Sequence, residues 1–462
     1  MDILQESLVP QVCLVPTPSL TFPPHITSFG YALTDCLAGH TGTLEYIQQT
    51  IKDLGSSYTL STQNFTAVSG NVFNSRLVIG DKVISDARPM GNTPPTHHKQ
   101  PVYGQLLTSG LGCHLSDFPK NPPKNWIALI KRGECAFGVK SENAGKAGAS
   151  AAIVYNNEEG VLPGTLQDPT KDQVATFGIG LEDAKPWLEK LGNGTDVDSI
   201  AYIDAVVEKI TTTNVIAQTT GGDQENCVML GGHSDSVAEG PGINDDGSGT
   251  ISLLEVAKQL TKFKVNNCVR FAWWAGEEEG LLGSNYYVSQ LSKKENAKIR
   301  LFMDYDMMAS PNFAYQIYNA SNEENPTGSY ELKKLYIDWY KSQGLNYTYI
   351  PFDGRSDYVG FITNGIPGGG IATGAEGVKT EAEALQFGGT AGLWFDPCYH
   401  QLCDDLTNVN MTAWEANTKL IAHPVAVYAK SFKGFPKREE AKMEVEGKDV
   451  VKMKWRGSKL II

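Results

Sequence analysis

The chain is 462 residues long, 41% of its residues are hydrophobic, and 52 acidic against 39 basic side chains give it a net charge of -13. That length exceeds the roughly 250–300 residues at which a single hydrophobic core stops growing, so we expect two domains. The negative charge argues against nucleic acid or an anionic membrane as a partner, and no apolar run reaches the about 20 residues of a membrane span.

Features of the sequence point in opposite directions about the compartment. The first twenty residues contain two acidic side chains and three prolines, so they lack the basic start and apolar core of a signal peptide. The chain nevertheless has eight cysteines, of which Cys398 and Cys403 are close enough to bridge within one loop, whereas the other six are either paired or reduced in the core. We expect a secreted or vacuolar protein whose N-terminus is incomplete or misassigned. Five N-glycosylation sequons support this expectation, at Asn64, Asn193, Asn319, Asn346 and Asn410.

The first half of the chain alternates helical and strand patterns, which is typical of a mostly parallel sheet covered by helices. TGTLEYIQQTIKDLGSS predicts an early helix that ends near Gly55, and YTLSTQNFTAV predicts the strand that follows. Pro, Gly and His residues between about 86 and 120 indicate a loop-rich boundary. Beyond it, WIALIKRG predicts a buried strand, VKSENAGKAGAS a helix and AAIVYNN another strand.

These last segments are similar to the protease-associated (PA) domain. The similarity rests on a strand that reads IALIKRG, the Cys-x-Phe motif at 135–137, a helix with Ala-Gly, and the strand AAIVYNN. The resemblance implies that Cys113 pairs with Cys135 and that no residue of this unit is catalytic. His97 and His98 have no other ligand nearby in sequence, so we expect a solvated pair rather than a metal site.

The first candidate site residues follow a strand in the second half. CVMLGGHSD begins as an apolar strand and places His233 and Asp235 at its carboxyl end, where open α/β sheets form their sites. The turn GPGINDDGSG comes next, followed by a helix whose apolar positions recur at i, i+3, i+4 and i+7 from Leu253. Asp245 and Asp246 precede that helix, and taken alone they are expected to be its N-caps.

Two more strands and a loop bring further acidic and imidazole side chains. The run VRFAWWA leads directly into three glutamates, which in isolation would favour the dipole of a following helix. RLFMDYD ends in two aspartates, and LWFDPCYHQLCDD forms a loop that Cys398 and Cys403 can close. The side chains in these places are Glu277, Glu278, Glu279, Asp304, Asp306, Tyr399 and His400.

A cluster of carboxylates at adjacent strand ends needs a compensating cation. In a low-dielectric cleft such a cluster costs several kcal/mol unless cations neutralise it. Two imidazoles together with carboxylates suit zinc. With one shared aspartate, five ligands can serve two ions about 3.5–4 Å apart. The sequence therefore predicts two zinc ions per chain.

The chain resembles the di-zinc aminopeptidases of bacteria and fungi. GGHSDSVAEGPGINDDGSG, FAWWAGEEEGLLGS, YDMMASPN, FDGRSDY and FDPCYHQLCDD carry the resemblance, in this order. The subgroup with an inserted PA domain, of the fungal secreted leucine aminopeptidase and vacuolar aminopeptidase Y type, is the most similar. This implies a mixed, mostly parallel α/β sheet with helices on both faces and a small β-rich insert. Expected boundaries are 1–85 and 211–435 for the peptidase domain, 86–210 for the insert and 436–462 for a C-terminal extension. Apolar residues alternate with charged ones in that extension, which predicts a hairpin.

The resemblance implies a role for each matching residue. One zinc would be held by His233 and Asp306, the other by Glu278 and His400, and Asp245 would bridge both. Asp235 would orient the ring of His233 through its second nitrogen. Glu279 receives no role.

The resemblance also implies how the reaction proceeds. Glu277 would be the general base that takes a proton from a water acidified by the two zinc ions. Tyr399 would donate a hydrogen bond to the developing oxyanion. Arg355 and Asp357, in GRSD, would line the substrate cleft, or alternatively form a structural salt bridge.

Three other functions stay open at this point. GHSDS at 232–236 suggests a serine hydrolase, although Ser236 stands where the nucleophile elbow needs glycine. A di-zinc carboxypeptidase would share nearly all the ligands, and a non-catalytic receptor ectodomain of the same fold would lose ligands that this chain retains. We therefore expect a monomeric aminopeptidase that acts on peptides with a free N-terminus and a Leu-like first residue.

Overall fold

The computed structural model describes residues 37–237 and 239–438, which fall into two compact units. Unit 1 contains residues 37–67 and 211–438, and unit 2 contains residues 68–210. The predicted C-terminal hairpin lies outside the described residues beyond Arg438. No helix in the described part of the chain combines the length and apolar character needed to cross a bilayer.

The described residues form fourteen strands and ten α-helices. The strands are β1 (Tyr58–Ile79), β2 (Lys82–Val83), β3 (Arg88–Pro89), β4 (Val102–Thr108), β5 (Trp126–Lys131), β6 (Ala151–Tyr155), β7 (Thr176–Ile179), β8 (Asp198–Thr219), β9 (Asp223–His233), β10 (Asn267–Trp274), β11 (Ile299–Tyr305), β12 (Gln316–Tyr318), β13 (Thr348–Ile350) and β14 (Gly368–Ala372). The helices are α1 (Leu37–Asp53), α2 (Phe137–Lys146), α3 (Leu181–Gly192), α4 (Gly249–Leu260), α5 (Leu282–Ser289), α6 (Lys293–Lys298), α7 (Ser329–Ser342), α8 (Tyr358–Thr363), α9 (Glu381–Phe387) and α10 (Met411–Lys430).

The first boundary between the units differs from the expected one. It falls after Ala67, inside β1, whereas the loop-rich texture of the sequence placed it at residue 86. The reason is that β1 is one continuous strand of 22 residues, so the Pro- and Gly-rich segment that follows it belongs to unit 2. The chain returns to unit 1 after Ile210, inside the equally long β8.

The sheet of unit 1 has the strand order β13-β12-β14-β11-β9-β10-β8. The four central strands β14, β11, β9 and β10 run parallel, and β12 and β8 run antiparallel to their neighbours β14 and β10. Because side chains alternate along a strand, the two faces of the sheet bury different residues. This mixed, mostly parallel sheet confirms the fold class expected from the sequence.

Helices cover both faces of this sheet. On one face, Leu230, Trp273 and Met303 belong to a core with apolar residues of α1, α4, α7 and α10. On the other face, Met229 and Phe302 pack in a core with residues of α5 and α8. Both cores are built from buried side chains, and their packing holds the carboxyl ends of the central strands in fixed positions relative to one another.

Unit 2 is a smaller sheet with two helices. Strands β4, β5, β6 and β7 are parallel in that order, with β3 antiparallel to β7 at the edge. The predicted segments WIALIKRG and AAIVYNN form β5 and β6, and the predicted helix begins two residues earlier, at Phe137. His97 and His98 are exposed in a short 3-10 turn, and no third ligand joins them among residues 37–237 and 239–438.

Three disulfides occur in the described residues. The bonds Cys113–Cys135 and Cys398–Cys403 join the pairs that the sequence analysis named. The bond Cys227–Cys268 connects β9 to β10, where the parallel register places the two residues directly opposite each other. Sequence spacing left this pair open because only the strand pairing brings the two residues together.

Four of the five sequon asparagines are exposed, namely Asn64, Asn193, Asn319 and Asn346. Asn410 is half-buried, and its side chain accepts a hydrogen bond of 3.1 Å from the main-chain N–H of Ala413 as the N-cap of α10. Glycosylation is therefore sterically simpler at the first four sites.

The packing of α4 against the sheet gives a stability prediction. Leu253 is fully buried in the main core of unit 1, whereas Lys258 on the same helix is exposed. Leu253→Ala should lower the free energy of unfolding by about 2–5 kcal/mol, because it leaves a cavity. Lys258→Ala is the matched control and should change it by less than about 0.5 kcal/mol. Urea unfolding of both variants measures the difference, and equal stabilities would contradict this account of the core.

Candidate metal centre

The candidate site lies at the carboxyl ends of three adjacent parallel strands. β9 ends at His233, β10 ends just before the segment with Glu277 and Glu278, and β11 ends just before Asp306. β9 lies between the other two strands, and its last residue is paired with the last residue of β10. The strand pairing therefore brings side chains from three distant parts of the sequence to one edge of the sheet.

Asp245 lies between the two imidazoles. It comes from a turn, Ile243–Ser248, that leads into α4 and in which the backbone of Asp245 is not helical. Its Oδ1 is 3.0 Å from His233 Nε2, and its Oδ2 is 3.1 Å from His400 Nε2. Burial would raise the pKa of Asp245, but the two imidazoles lower it below its ordinary value. A carboxylate that directs one oxygen to each of two imidazoles has the geometry of a bridging ligand.

The remaining contacts complete two groups of ligands. His400 Nε2 is 3.1 Å from Glu278 Oε1, and His233 Nε2 is 3.6 Å from Asp306 Oδ1. Ligands about 2.0–2.1 Å from a tetrahedral zinc ion lie about 3.3 Å apart, so these distances have the expected size.

Two buried carboxylate oxygens in these groups also fit bound cations. Within the described residues, no donor meets Glu278 Oε1 or Asp306 Oδ1 in hydrogen-bond geometry. Such atoms are costly to bury without a compensating positive charge. The donor set, two imidazoles and three carboxylates, is one that zinc accepts. The residues present therefore fit two zinc ions.

Asp246 makes different contacts from its neighbour Asp245. One of its oxygens is close enough to His233 and Asp306 to join a metal-binding group. However, its Oδ2 accepts the main-chain N–H of His233 at 3.1 Å, and its Oδ1 accepts those of Gly249 and Met307 at 2.9 and 3.1 Å. The N-cap interpretation of the Asp-Asp pair is wrong, because the N-cap of α4 is Ser248, and Asp246 accepts from the main chain at the end of β9, at the start of α4 and after β11.

Burial and neighbouring carboxylates shift the pKa values of both imidazoles in the metal-free chain. Burial alone would lower the pKa of His400, but Glu278 and Asp245 raise it to about 9. Burial likewise opposes charge on His233, yet Glu277, Asp245 and Asp306 raise its pKa well above the ordinary value. Protons on the two rings thus offset part of the negative charge of the carboxylates in the metal-free chain.

Glu277 is a buried carboxylate beside the two ligand groups. Burial is the largest cause that raises its pKa well above the ordinary value, and Glu278, Asp357 and Asp306 raise it further, whereas His233 lowers it. The interpretation of the three glutamates as residues that favour a helix dipole is wrong, because α5 begins only at Leu282.

Asp235 orients its surroundings through two different groups. Its main-chain carbonyl is 2.9 Å from His233 Nδ1, while its carboxylate is 3.9 Å from the same nitrogen. The carboxylate accepts the main-chain N–H groups of Glu277 and Glu278 at 3.2 and 3.3 Å. Asp235 thus contacts the second nitrogen of His233 by its backbone, and its side chain holds the segment after β10.

Tyr399 is held by a cation that sequence patterns did not connect to it. Arg355 Nη2 donates to Tyr399 Oη at 3.2 Å and to Glu376 at 3.0 Å. Burial is the main cause that raises the pKa of Tyr399 well above its ordinary value, so the phenol keeps its proton and can donate it to a hydrogen bond. No role was predicted for Glu376, because no local pattern links it to Arg355, which is 21 residues away.

The prediction that Asp357 lines the substrate cleft needs correction. Its relative exposure is 0%, so a substrate cannot touch it, and the ion-pair partner of Arg355 is Glu376. Burial raises the pKa of the Asp357 carboxyl to about 7. The spacing in GRSD could not reveal this, because it does not indicate which of the two side chains turns into the core.

A serine nucleophile is excluded at GHSDS. Ser234 Oγ donates to Trp274 O at 2.7 Å and lies 3.0 Å from His40 Nε2. A hydroxyl has one proton, so His40 must be the donor in the second contact and cannot act as the base. Burial lowers the pKa of His40, which agrees with a neutral ring that donates through Nε2.

Models of two protein families match the chain. The model described as Peptidase family M28 matches residues 214–425. The PA domain model matches residues 99–187. Both resemblances inferred from the sequence motifs are confirmed.

Individual relatives agree with these matches. Aminopeptidase Y of Saccharomyces cerevisiae is 51% identical over 438 residues, which cover 92% of this chain and 79% of that protein. A probable leucine aminopeptidase 2 of Aspergillus oryzae is 45% identical over 406 residues, which cover 86% of this chain and 80% of that protein. A solved aminopeptidase structure from Aneurinibacillus sp. strain AM-1 is 26% identical and superimposes with a TM-score of 0.68, covering 92% of this chain and 93% of its own.

The raised pKa values of the imidazoles predict that metal binding releases protons. At neutral pH both His400 and His233 are protonated in the metal-free chain and must lose those protons to bind a metal. The apparent affinity for Zn²⁺ should therefore rise as the pH approaches about 9, by roughly tenfold per pH unit for each proton released. Calorimetric titrations in buffers of different ionisation enthalpy measure this release, and binding at neutral pH without it would contradict the prediction.

Proposed function

The chain belongs to peptidase family M28 and is an aminopeptidase with two zinc ions as cofactors, and from that premise we propose that it releases Leu-like N-terminal residues with Glu277 as general base. The observation that carries this proposal is the position of Asp245, with one carboxylate oxygen 3.0 Å from His233 and the other 3.1 Å from His400. In the proposed assignment His233 and Asp306 would hold one ion, Glu278 and His400 would hold the other, and Asp245 would contribute to both.

Glu277 moves the proton. When bound, the two zinc ions act as Lewis acids and lower the pKa of a water molecule to about 7. Glu277 accepts a proton from that water and transfers it to the amine that leaves after the peptide bond breaks. In the metal-free chain, burial raises the pKa of this carboxyl well above its ordinary value.

Tyr399 and Arg355 stabilise charge on the substrate carbonyl. The guanidinium of Arg355 donates to Tyr399 Oη, so the phenol accepts in that bond and directs its own proton toward the carbonyl oxygen. Hydrogen bonds to an oxygen that gains negative charge strengthen as the charge develops, and they are worth most in a site without bulk water. Glu376 keeps the guanidinium in place through its ion pair of 3.0 Å.

The free N-terminus of the substrate supplies the charge that this acidic site can recognise. An ammonium group near Glu277 and Asp306 would be attracted by two carboxylates, which limits cleavage to the first residue. A carboxypeptidase would need a cation that faces the C-terminal carboxylate of its substrate. The guanidinium of Arg355 is already bonded to Tyr399 and Glu376, and this favours recognition of the amino end.

The preference for Leu-like residues is inferred from the relatives. The Aspergillus protein is described as a probable leucine aminopeptidase 2, and we extend this preference to the present chain. The three disulfides among the described residues and the five sequons support synthesis in the secretory pathway, with secretion or vacuolar delivery as the destination. All proposed ligands come from one chain, so we infer that a monomer is active.

Glu277→Gln should abolish catalysis without loss of metal. We expect the turnover of Leu-nitroanilide to fall by about 10²–10⁴-fold, because an amide cannot accept the proton, while two zinc ions per chain remain bound. Glu279→Gln, two residues further along the chain and without a proposed role, is the matched control. Release of nitroaniline and elemental analysis of the same samples give both readouts. Full activity of Glu277→Gln would remove this base assignment.

Peptides with a blocked N-terminus should be poor substrates. N-acetylation removes the positive charge of the amine, so the acidic groups have no ammonium to bind and cleavage of acetyl-Leu-Gly-Gly should be undetectable while Leu-Gly-Gly is hydrolysed. Mass spectrometry of the products identifies the bond that is cut. Release of the C-terminal residue from the blocked peptide would instead indicate a carboxypeptidase.

A further inference from the structure

A buried network of polar side chains lies behind the metal centre, and sequence motifs assigned no role to it. We propose that Asp404 is a positioning residue, which fixes the bridging Asp245 relative to the loop of His400 and thereby sets the affinity of the zinc pair. This inference rests on the metal ligands assigned in the proposed function.

The carboxylate of Asp404 accepts hydrogen bonds from the backbone at the proposed bridging ligand, Asp245. It accepts the main-chain N–H of Asn244 at 3.0 Å on one oxygen and that of Asp245 at 3.2 Å on the other. The main-chain carbonyl of Asp404 accepts a third bond of 3.0 Å from the N–H of Ile243. With 2% exposure, Asp404 makes these bonds in the protein interior, where they are stronger than in water.

The other members of the network tie Asp404 to the loop that carries His400. Asn408 Nδ2 donates to Asp404 Oδ1 at 3.0 Å and to Asp396 Oδ1 at 2.9 Å. Asp396 also accepts a hydrogen bond of 2.7 Å from the side chain of Asn244. His400 lies between Asp396 and Asp404 in sequence, so both ends of its segment are bonded to the turn that holds Asp245.

A third segment joins through Asn244. Its Oδ1 accepts the main-chain N–H of Ala309 at 3.0 Å, and its Nδ2 donates to Ser310 Oγ at 3.1 Å. Ala309 follows Asp306 by three residues, so the network connects the segments of three of the five proposed ligands. These buried bonds hold the backbones of those three segments in place.

The conformation of the His400 segment makes such support necessary. His400 has a φ of 58°, in the left-handed region that non-glycine residues adopt only where surrounding contacts hold them. The disulfide Cys398–Cys403 closes this segment on itself, whereas Asp404 attaches it to the rest of the site. An aspartate is required because two main-chain N–H donors face it, and an asparagine would direct its own N–H₂ group at one of them.

The test compares Asp404→Asn with Asp405→Asn in the full chain. Asp405 is the neighbour in sequence and is exposed, and its side chain accepts from the main-chain N–H and the hydroxyl of Thr407. Metal-free samples of each variant are titrated with Zn²⁺ against a chromophoric chelator, and with Co²⁺ while the visible spectrum is recorded. Asp404→Asn should weaken metal binding by about 10–100-fold, which is the typical effect of substituting a residue that supports a metal ligand. It should also alter the cobalt spectrum. Asp405→Asn should match the wild type in both.

The melting temperature of the metal-free variants separates positioning from a general structural role. Unchanged metal affinity in Asp404→Asn, or a lower melting temperature with wild-type affinity and spectrum, overturns the proposal. If Asp404→Asn does not fold, Asn408→Ala takes its place. This variant removes the link between Asp404 and Asp396 but leaves the bonds from Asp404 to the main chain of Asn244 and Asp245. Wild-type metal affinity of Asn408→Ala would also overturn the proposal. A wild-type chain that fails to bind two metal ions would instead contradict the proposed function.

Discussion

The structure depends on the need to compensate negative charge at one edge of a parallel sheet. Three strands and two loops bring carboxylates together where little solvent reaches them, and such groups repel one another strongly in a medium of low dielectric constant. In the metal-free chain the pKa values of His233 and His400 rise, so that protons on the rings offset part of the charge. Zinc ions would replace those protons, and the same competition connects metal binding to pH.

The scaffold holds the ligands by their backbones rather than by contacts among the side chains. Asp235 accepts from the main chain after β10, Asp246 from the main chain around α4 and after β11, and Asp404 from the turn with Asp245. Each of these aspartates is buried, and each uses its oxygens for N–H donors. The acidic residues of the site therefore divide into those whose oxygens are aimed at cations and those whose oxygens hold the chain in place.

The segments that meet at the candidate site could be inferred from motifs, because three of them lie at or just after the ends of strands. The different roles of neighbouring residues within one motif could not be inferred from the sequence alone. Asp245 and Asp246 are chemically identical neighbours, and only the backbone directs one toward the imidazoles and the other toward main-chain donors. The same holds for Arg355 and Asp357, of which the first reaches Tyr399 and the second is completely buried.

By itself, the sequence determined the alternation of strands and helices, the order of the ligand-bearing segments and the presence of a PA insert, since these depend on local periodicity and short motifs. Tertiary structure alone decided the partners that are distant in sequence: Cys227 with Cys268, Arg355 with Glu376, and Asp404 with the turn of Asp245. The tertiary structure also decided that the boundary between the two units falls inside β1. The physical reason is that strand register and loop packing, which set these pairs, are properties of the assembled core and leave no mark on neighbouring residues in the chain.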